Sequence, residues 1–303
     1  MAIGDVYAVE QEPVADVSYV DTGMYDTAEY GAVYVIDADR PAVVDSGIGT
    51  HYERILDALD EVGIAREELA TIALTHVHLD HAGGAGFLAE ACPNATVAVH
   101  ESGARHLVDP GRLVAGTKQA VGDQWQYYVD PQPVPEDRIR ELADGDRIDL
   151  GDRELVTHHA PGHAPHQVVF ESPRDEAVFV ADAAGIYVPA IDAVRQTSPP
   201  PNFDLAQCLD DVETIRSLEP AVLCYPHFGP AAADDLLAEY ETVLPAWVES
   251  VAEKRAELGD DEAVLEYVAD ATDATEFCSE RKARAEDRMN ARGVLAYLDR
   301  RGD

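Results

Sequence analysis

One stretch constrains this chain more than any other: Thr75-His76-Val77-His78-Leu79-Asp80-His81-Ala82-Gly83-Gly84. It follows an apolar, strand-like run at 69–74 and precedes a helix-like run at Ala85–Ala91. His76 and His78 are two residues apart, so an extended backbone points both imidazoles the same way. Asp80 and His81 fall at the turn and can reach a neighbouring position. Imidazoles and a carboxylate suit zinc or a similar divalent ion. Gly83 and Gly84 are expected to let the backbone turn tightly beneath a crowded site.

The surrounding pattern is α/β. Short strands are predicted at 6–9, 17–20, 32–37 and 42–45, the last two as a hairpin. A helix follows, with Ile55, Leu56, Leu59 and Val62 on one face and Gly63 at its end. Strands are expected again at 69–74, 96–100, 138–142, 147–150, 154–158, 167–171, 177–181 and 221–224. Residues 109–135 and 189–202, both proline-rich, read as loops. Asp204 looks like the cap of a helix running to 218. Beyond Gly229 the pattern turns helical, at roughly 231–258, 261–269 and 279–300. The expected organisation is an α/β sandwich at 1–230, carrying the catalytic site, with a C-terminal helical region at 231–303.

Three more residues sit at strand ends, where loops meet and sites assemble. His163 follows Pro161-Gly162, Asp182 ends an apolar strand, and His227 follows another. With the HxHxDH motif and in this order, they resemble the metallo-β-lactamase superfamily. Asp45, in Val-Asp-Ser-Gly, matches that family's early aspartate. The resemblance covers roughly residues 5–230. It implies an αββα sandwich with two metal ions at one edge of the sheets. His76, His78 and His163 would bind one ion. Asp80, His81 and His227 would bind the other, and Asp182 would bridge both. Asp45 would orient the site through a hydrogen bond without ligating. Zn2+ is the expected metal, with Mn2+ and Fe2+ as alternatives. A metal-bridging hydroxide, oriented by Asp80, would hydrolyse the substrate. No GxSxG elbow offers a rival nucleophile.

The resemblance leaves the bond open. The Gly-Gly after the motif, the Pro-Gly-His and the trailing helices look like the glyoxalase II and lactonase side, so an ester, lactone or thioester is the leading expectation. His166 and Tyr187 are candidate substrate-binding residues. The alternative is an RNase Z-like ribonuclease or exonuclease, since those relatives use the same seven ligands. The short stretch between Asp182 and His227 has no room for a β-CASP insert. Arg105, Arg112, Lys118 and Arg195 could contact phosphates, although solvated arginines are the commoner case. An open, arginine-lined groove would favour RNA, and a closed apolar pocket a small ester. Trp125, Tyr127 and Tyr128 are expected to wall or cover the pocket. The C-terminal helices are expected to pack over the site or to form a homo-oligomer contact.

Composition adds the setting. The 303 residues carry 22 Lys+Arg against 59 Asp+Glu, a formal charge of −37. Only three of the cations are lysines: Lys118, Lys254 and Lys282. A folded, acidic, lysine-poor chain resembles the proteins of extreme halophiles. In ~1 M salt the Debye length is ~3 Å, which makes such self-repulsion tolerable. A 46% hydrophobic fraction supplies a core and excludes a disordered acidic chain. No apolar run approaches the ~20 residues that span a bilayer. The acidic start shows neither a basic n-region nor an apolar h-region, so no cleaved leader is expected. The isolated Cys92, Cys208, Cys224 and Cys278 fit reduced thiols of the cytoplasm.

Overall fold

The computed structural model describes residues 2–302. The first sheet runs in chain order: β1 (Val6–Ala8), β2 (Val17–Asp21), β3 (Ala32–Ile36), β4 (Ala42–Val44), β5 (Thr71–Ala73), β6 (Thr96–His100) and β7 (Ile139–Leu142). Its first four strands are antiparallel neighbours, and β4 to β7 are parallel. The expected hairpin is β3–β4, with Tyr34 opposite Val44.

The second sheet contains β8 (Arg147–Asp149), β9 (Glu154–His159), β10 (Val168–Ser172) and β11 (Ala177–Phe179). The chain then forms a separate hairpin, β12 (Ile186–Val188) and β13 (Ala193–Arg195). It rejoins the second sheet with β14 (Val222–Cys224), parallel to β11, and β15 (Pro230–Ala232).

Helices cover both outer faces. α1 (Tyr52–Val62), the single turn α2 (Leu79–Ala82), α3 (Ala85–Ala91), α4 (Glu101–Val108) and α5 (Gly111–Val121) belong to the first half. α6 (Leu205–Ser217), α7 (Leu236–Leu258), α8 (Asp261–Asp270) and α9 (Glu280–Arg301) belong to the second.

Strand alternation sorts side chains into three cores. On β3, Val33 and Val35 meet Ile55 and Leu59 of α1, while Tyr34 and Ile36 face inward. On β10, Phe170 meets Tyr34 between the sheets, while Val169 packs with Val212, Leu244 and Val294 of α6, α7 and α9. The central strands are buried on both faces, which makes them almost wholly apolar. The result is an αββα sandwich with C-terminal helices. Those helices share the outer core of the second sheet, and position 230 falls within β15.

Two expected loops and one expected helix start differ. Residues 109–135 contain α5 and a 3₁₀ turn, Gly122–Tyr127. Pro110 stands just before the helix, where its missing N–H costs nothing. No residue of α5 is fully buried, so apolar periodicity gives it little signal. Residues 189–202 include β13. Residues 230–232 pair with β14 before α7 begins.

Candidate metal centre

The site lies where β4, β5, β9, β11 and β14 end. Asp45 follows β4, and His76, His78, Asp80 and His81 follow β5. His163 lies beyond β9, Asp182 beyond β11 and His227 beyond β14.

Two donor groups result. In the first, His78 Nδ1 lies 3.0 Å from His76 Nε2 and 3.1 Å from His163 Nε2. Asp182 Oδ2 lies 3.2 Å from His163 Nε2 and 3.6 Å from His76 Nε2. In the second, His81 Nε2 is 3.9 Å from Asp80 Oδ2, with His227 alongside. The ligand atoms of each group lie within 4.8 Å of one another. Asp182 reaches both: Oδ2 is 3.3 Å from His81 Nε2 and Oδ1 is 3.6 Å from His227 Nε2.

The donor set fits divalent ions. His81 Nε2 and Asp182 Oδ1 are buried with no hydrogen-bond partner among the described residues. Such orphaned groups are costly unless another partner takes their lone pairs. Nitrogens and carboxylate oxygens converging on shared points are ligand chemistry for ions of this type.

The far sides of the rings are tied down. His81 Nδ1 is 3.0 Å from Asp45 Oδ2, and Asp45 Oδ1 accepts from the Thr75 N–H at 2.8 Å. His227 Nδ1 meets the Tyr30 carbonyl at 3.0 Å, and His163 Nδ1 meets Thr197 Oγ1 at 3.2 Å. These contacts fix ring orientation and leave the inner nitrogens for an ion. Backbone strain gathers here too. Asp45, Ala181 and Phe228 have φ of 64°, 50° and 63°, left-handed values unusual for residues with a Cβ.

The electrostatics follow from burial and crowding. Burial, then the neighbouring imidazoles, holds His76 well below the ordinary histidine range. Burial pulls the His163 imidazole down to about 3, against the pull of Asp182. Burial raises the Asp182 carboxyl, but His163 and His81 outweigh it and hold the group well below the carboxylate range. His81 goes the other way: burial lowers it, but Asp182 and Asp80 outweigh burial and raise its imidazole well above the ordinary range. An ion there would have to displace a proton, whereas His76 and His163 are already neutral donors.

Gly83 and Gly84 are there for a different reason from the expected one. Both have ordinary helical dihedrals. A Cβ on Gly84 would lie 2.2 Å from the Ser46 carbonyl, and one on Gly83 2.6 Å from the Ile48 carbonyl. The requirement is close approach of backbones.

A cavity of about 340 Å³ opens onto Asp80, His163, Asp182 and His227. Its walls include Tyr25, Leu113, Tyr128, Ile186, Pro200 and Met289. His166 lines it, with Nδ1 accepting from the Val77 N–H at 3.4 Å and its ring 5.5 Å from that of His78. Tyr187 does not line it, contrary to expectation. It sits on the β12–β13 hairpin, where its hydroxyl donates to Asp192 at 2.8 Å and its ring packs near Tyr225. Tyr128 does line the cavity, whereas Tyr127 packs edge-on to Tyr25 behind it. Of the candidate phosphate-binding cations, only Arg112 reaches the cavity. Arg195 pairs with Asp273 and Asp287, Lys118 with Asp130, and Arg105 bonds His106.

Sequence reasoning misses Tyr25, Tyr30 and, on α9, Lys282 and Asn290, all in the cavity wall. Tyr25 and Tyr30 carry no signal of their own. Lys282 carries one: it is among only three lysines, in a chain that otherwise uses arginine.

Fold and donor set define a metal-dependent hydrolase of the two-sheet sandwich type. The chain belongs to the metallo-beta-lactamase superfamily, whose family model matches residues 26–227. It is 25% identical over 224 residues to the metallo-beta-lactamase fold-containing protein ST1585 of Sulfurisphaera tokodaii, covering 72% of this chain and 80% of that protein. It is 26% identical over 178 residues to acyl-coenzyme A thioesterase MBLAC2 of Gallus gallus, covering 54% of this chain and 61% of that protein. Among solved structures, the metallo-beta-lactamase family protein TTHA1429 of Thermus thermophilus superposes with a TM-score of 0.63 at 22% identity. That match covers 90% of this chain and 89% of the other. The structural likeness is one of fold.

Proposed function

We propose that the chain hydrolyses a small acyl ester or thioester, with His76, His78, His163 and Asp182 holding one divalent ion and Asp80, His81 and His227, with Asp182 shared, holding a second. The observation that carries this reading is the cavity. A bounded space of about 340 Å³ with aromatic and aliphatic walls suits one acyl group. An RNA strand would need a long cationic groove. Arg112, exposed at this cavity, makes no ion pair or hydrogen bond to any described residue and is available to a carboxylate or phosphate on the substrate. An acyl thioester on an anionic carrier meets both features, in keeping with the name of the MBLAC2 relatives.

Two divalent ions in these positions supply Lewis acidity and a water activated near neutral pH. The chain's own groups do the rest. Asp80 faces the cavity and accepts a hydrogen bond from the attacking water, which orients it. Asp45 holds His81 through its Nδ1. His166 packs on His78 and borders the acyl space. α5 and α9 cover the site and limit bulk water. We take the metal to be Zn2+, the setting to be a cytoplasm of high salt, and 1–230 to be the catalytic unit that the C-terminal helices complete.

The test offers the metal-loaded protein in high salt a panel of acyl thioesters, lactones, alkyl esters and labelled RNA. Asp80→Ala and His76→Ala serve as controls. Turnover of thioesters or esters, lowered by ~10³-fold or more in both variants, is expected. RNA shortening by the parent but not by the variants would overturn the reading.

A further inference from the structure

We infer that Tyr128 donates a hydrogen bond to the substrate oxygen on which negative charge develops, and that Tyr25 and Lys282 position it. The inference rests on the hydrolytic reading above. Tyr25 Oη lies 2.8 Å from Tyr128 Oη and 3.4 Å from Asp80 Oδ2. A chain of phenols therefore runs from the second donor group into the cavity, and both rings line that cavity.

Tyr25 is held there against local preference. Its φ and ψ are 57° and 28°, inside the short turn Met24–Asp26. A tyrosine rarely adopts that left-handed conformation, so the contacts around it must hold it there. The loop is clamped by Asp21, whose carboxylate accepts from the N–H groups of Gly23 at 2.8 Å and Glu29 at 2.7 Å. Tyr30 and Tyr127 meet the Tyr25 ring edge-on, at 5.1 and 5.8 Å.

Lys282 closes the cage. It is 3% exposed, its Nζ stands 3.7 Å from the Tyr25 ring centroid, and it pairs with Glu286 one helical turn on. A buried ammonium over a ring face is a directional contact that fixes the ring plane. With the ring fixed, the hydroxyl has two neighbours. The Tyr25 hydroxyl donates to Asp80 Oδ2 across a long 3.4 Å, and the normal 2.8 Å bond to Tyr128 can run in either direction.

Each phenol has one proton, retained at neutral pH because the ordinary pKa is ~10. When Tyr25 donates along the shorter contact, Tyr128 keeps its own proton. The Tyr128 hydroxyl makes no other hydrogen bond among the described residues. Tyr128 and Asp80 both line the cavity, so that proton can be offered to a group bound there. A fixed neutral donor at that place stabilises an oxyanion without a proton having to move.

The test compares Tyr128→Phe, Tyr25→Phe and Lys282→Met with the parent, and uses Tyr187→Phe as the control outside the cavity. Substrates are the esters or thioesters that the parent turns over. Calorimetry adds the binding of an acyl phosphonate, which mimics the tetrahedral oxyanion, and of the matching planar amide. Tyr128→Phe is expected to lower kcat by ~10²-fold with KM nearly unchanged. It should weaken phosphonate binding comparably while sparing the amide. Tyr25→Phe and Lys282→Met should each lower kcat by roughly tenfold at unchanged metal content. Tyr187→Phe should match the parent. If Tyr128→Phe keeps its metal and stays within about threefold of the parent in both kcat and phosphonate affinity, the inference is wrong. A parent inactive on every ester and thioester would defeat the functional reading alone, and phosphonate affinity would still decide the part played by Tyr128.

Discussion

Asp182 joins the two donor groups, and Asp45 shows how a residue outside them can control one. Asp45 touches His81 Nδ1 and, from a left-handed backbone, caps the Thr75 N–H. Asp45→Ala leaves all seven donors in place and frees the His81 ring together with the Thr75 N–H and hydroxyl that Asp45 accepts from. It is expected to weaken the ion at His81 ~10–100-fold and the other ion less, because Asp45 reaches His76 only through the Thr75 hydroxyl, 3.2 Å from His76 Nδ1, a split that graded chelation followed by metal analysis would reveal. Equal loss of both ions would contradict it. The seven donors are legible because each falls at a strand end in a recognisable order. Tyr187 is misplaced by sequence because proximity to Asp182 along the chain says nothing about which face of a hairpin meets the cavity. Tyr25, distant from the motif in sequence, reaches Asp80 only through the fold.

Among elements, α6 has a part its hydrophobic pattern does not announce. It grips the Pro-Gly-His turn from both sides: Asp211 accepts from the Gly162 N–H at 2.7 Å, and the Asp204 N–H donates to the Gly162 carbonyl at 2.8 Å. A Cβ on Gly162 would lie 2.3 Å from the Cys208 nitrogen, so only glycine allows this approach. Burial pushes the Asp211 carboxyl up to about 7, against the Gly162 hydrogen bond and with help from Asp210. The folded value lies above the unfolded one, so the folded state binds this proton more tightly. The resulting stabilisation is complete below about pH 4 and is lost as pH rises to about 7. Asp211→Asn removes that slope. The melting temperature of the parent should therefore fall relative to the variant across this window, by roughly 5–10 °C. Parallel curves would rule the assignment out. α5 and α9 differ in how much the sequence shows of them. α9 is announced by its Ser279 cap, whereas α5 has no side-chain cap, carries Gly111 and Gly116, and buries too little to show a period, so it reads as loop. Lys282 sits on α9, yet its ammonium is held inside the cavity wall.

For the whole molecule, the charge of −37 is distributed over the surface and partly gathered by arginines that each hold two acids. Arg288 holds Glu262 and Glu266, and Arg255 holds Asp261 at 2.9 Å and Asp299 at 2.6 Å. Forked guanidinium groups suit that task better than ammonium groups, in keeping with the scarcity of lysine. The remaining carboxylates repel one another at ordinary ionic strength. Raising KCl from ~0.1 to ~2 M is expected to raise the melting temperature by on the order of 10 °C, and a fall would remove the high-salt reading. The sequence alone determined the α/β pattern and the strand ends that carry chemistry, which depend on periodicity and spacing and are local. The αββα sandwich and the grouping of the donors came from the likeness of the motif order to the metallo-β-lactamase superfamily. Only the tertiary structure decided that Asp182 reaches both groups, that α5 and α9 close a small cavity over them, and that Tyr25 and Tyr128 border it. Those facts depend on which surfaces meet when two sheets stack and helices cover them, and no local pattern encodes that meeting.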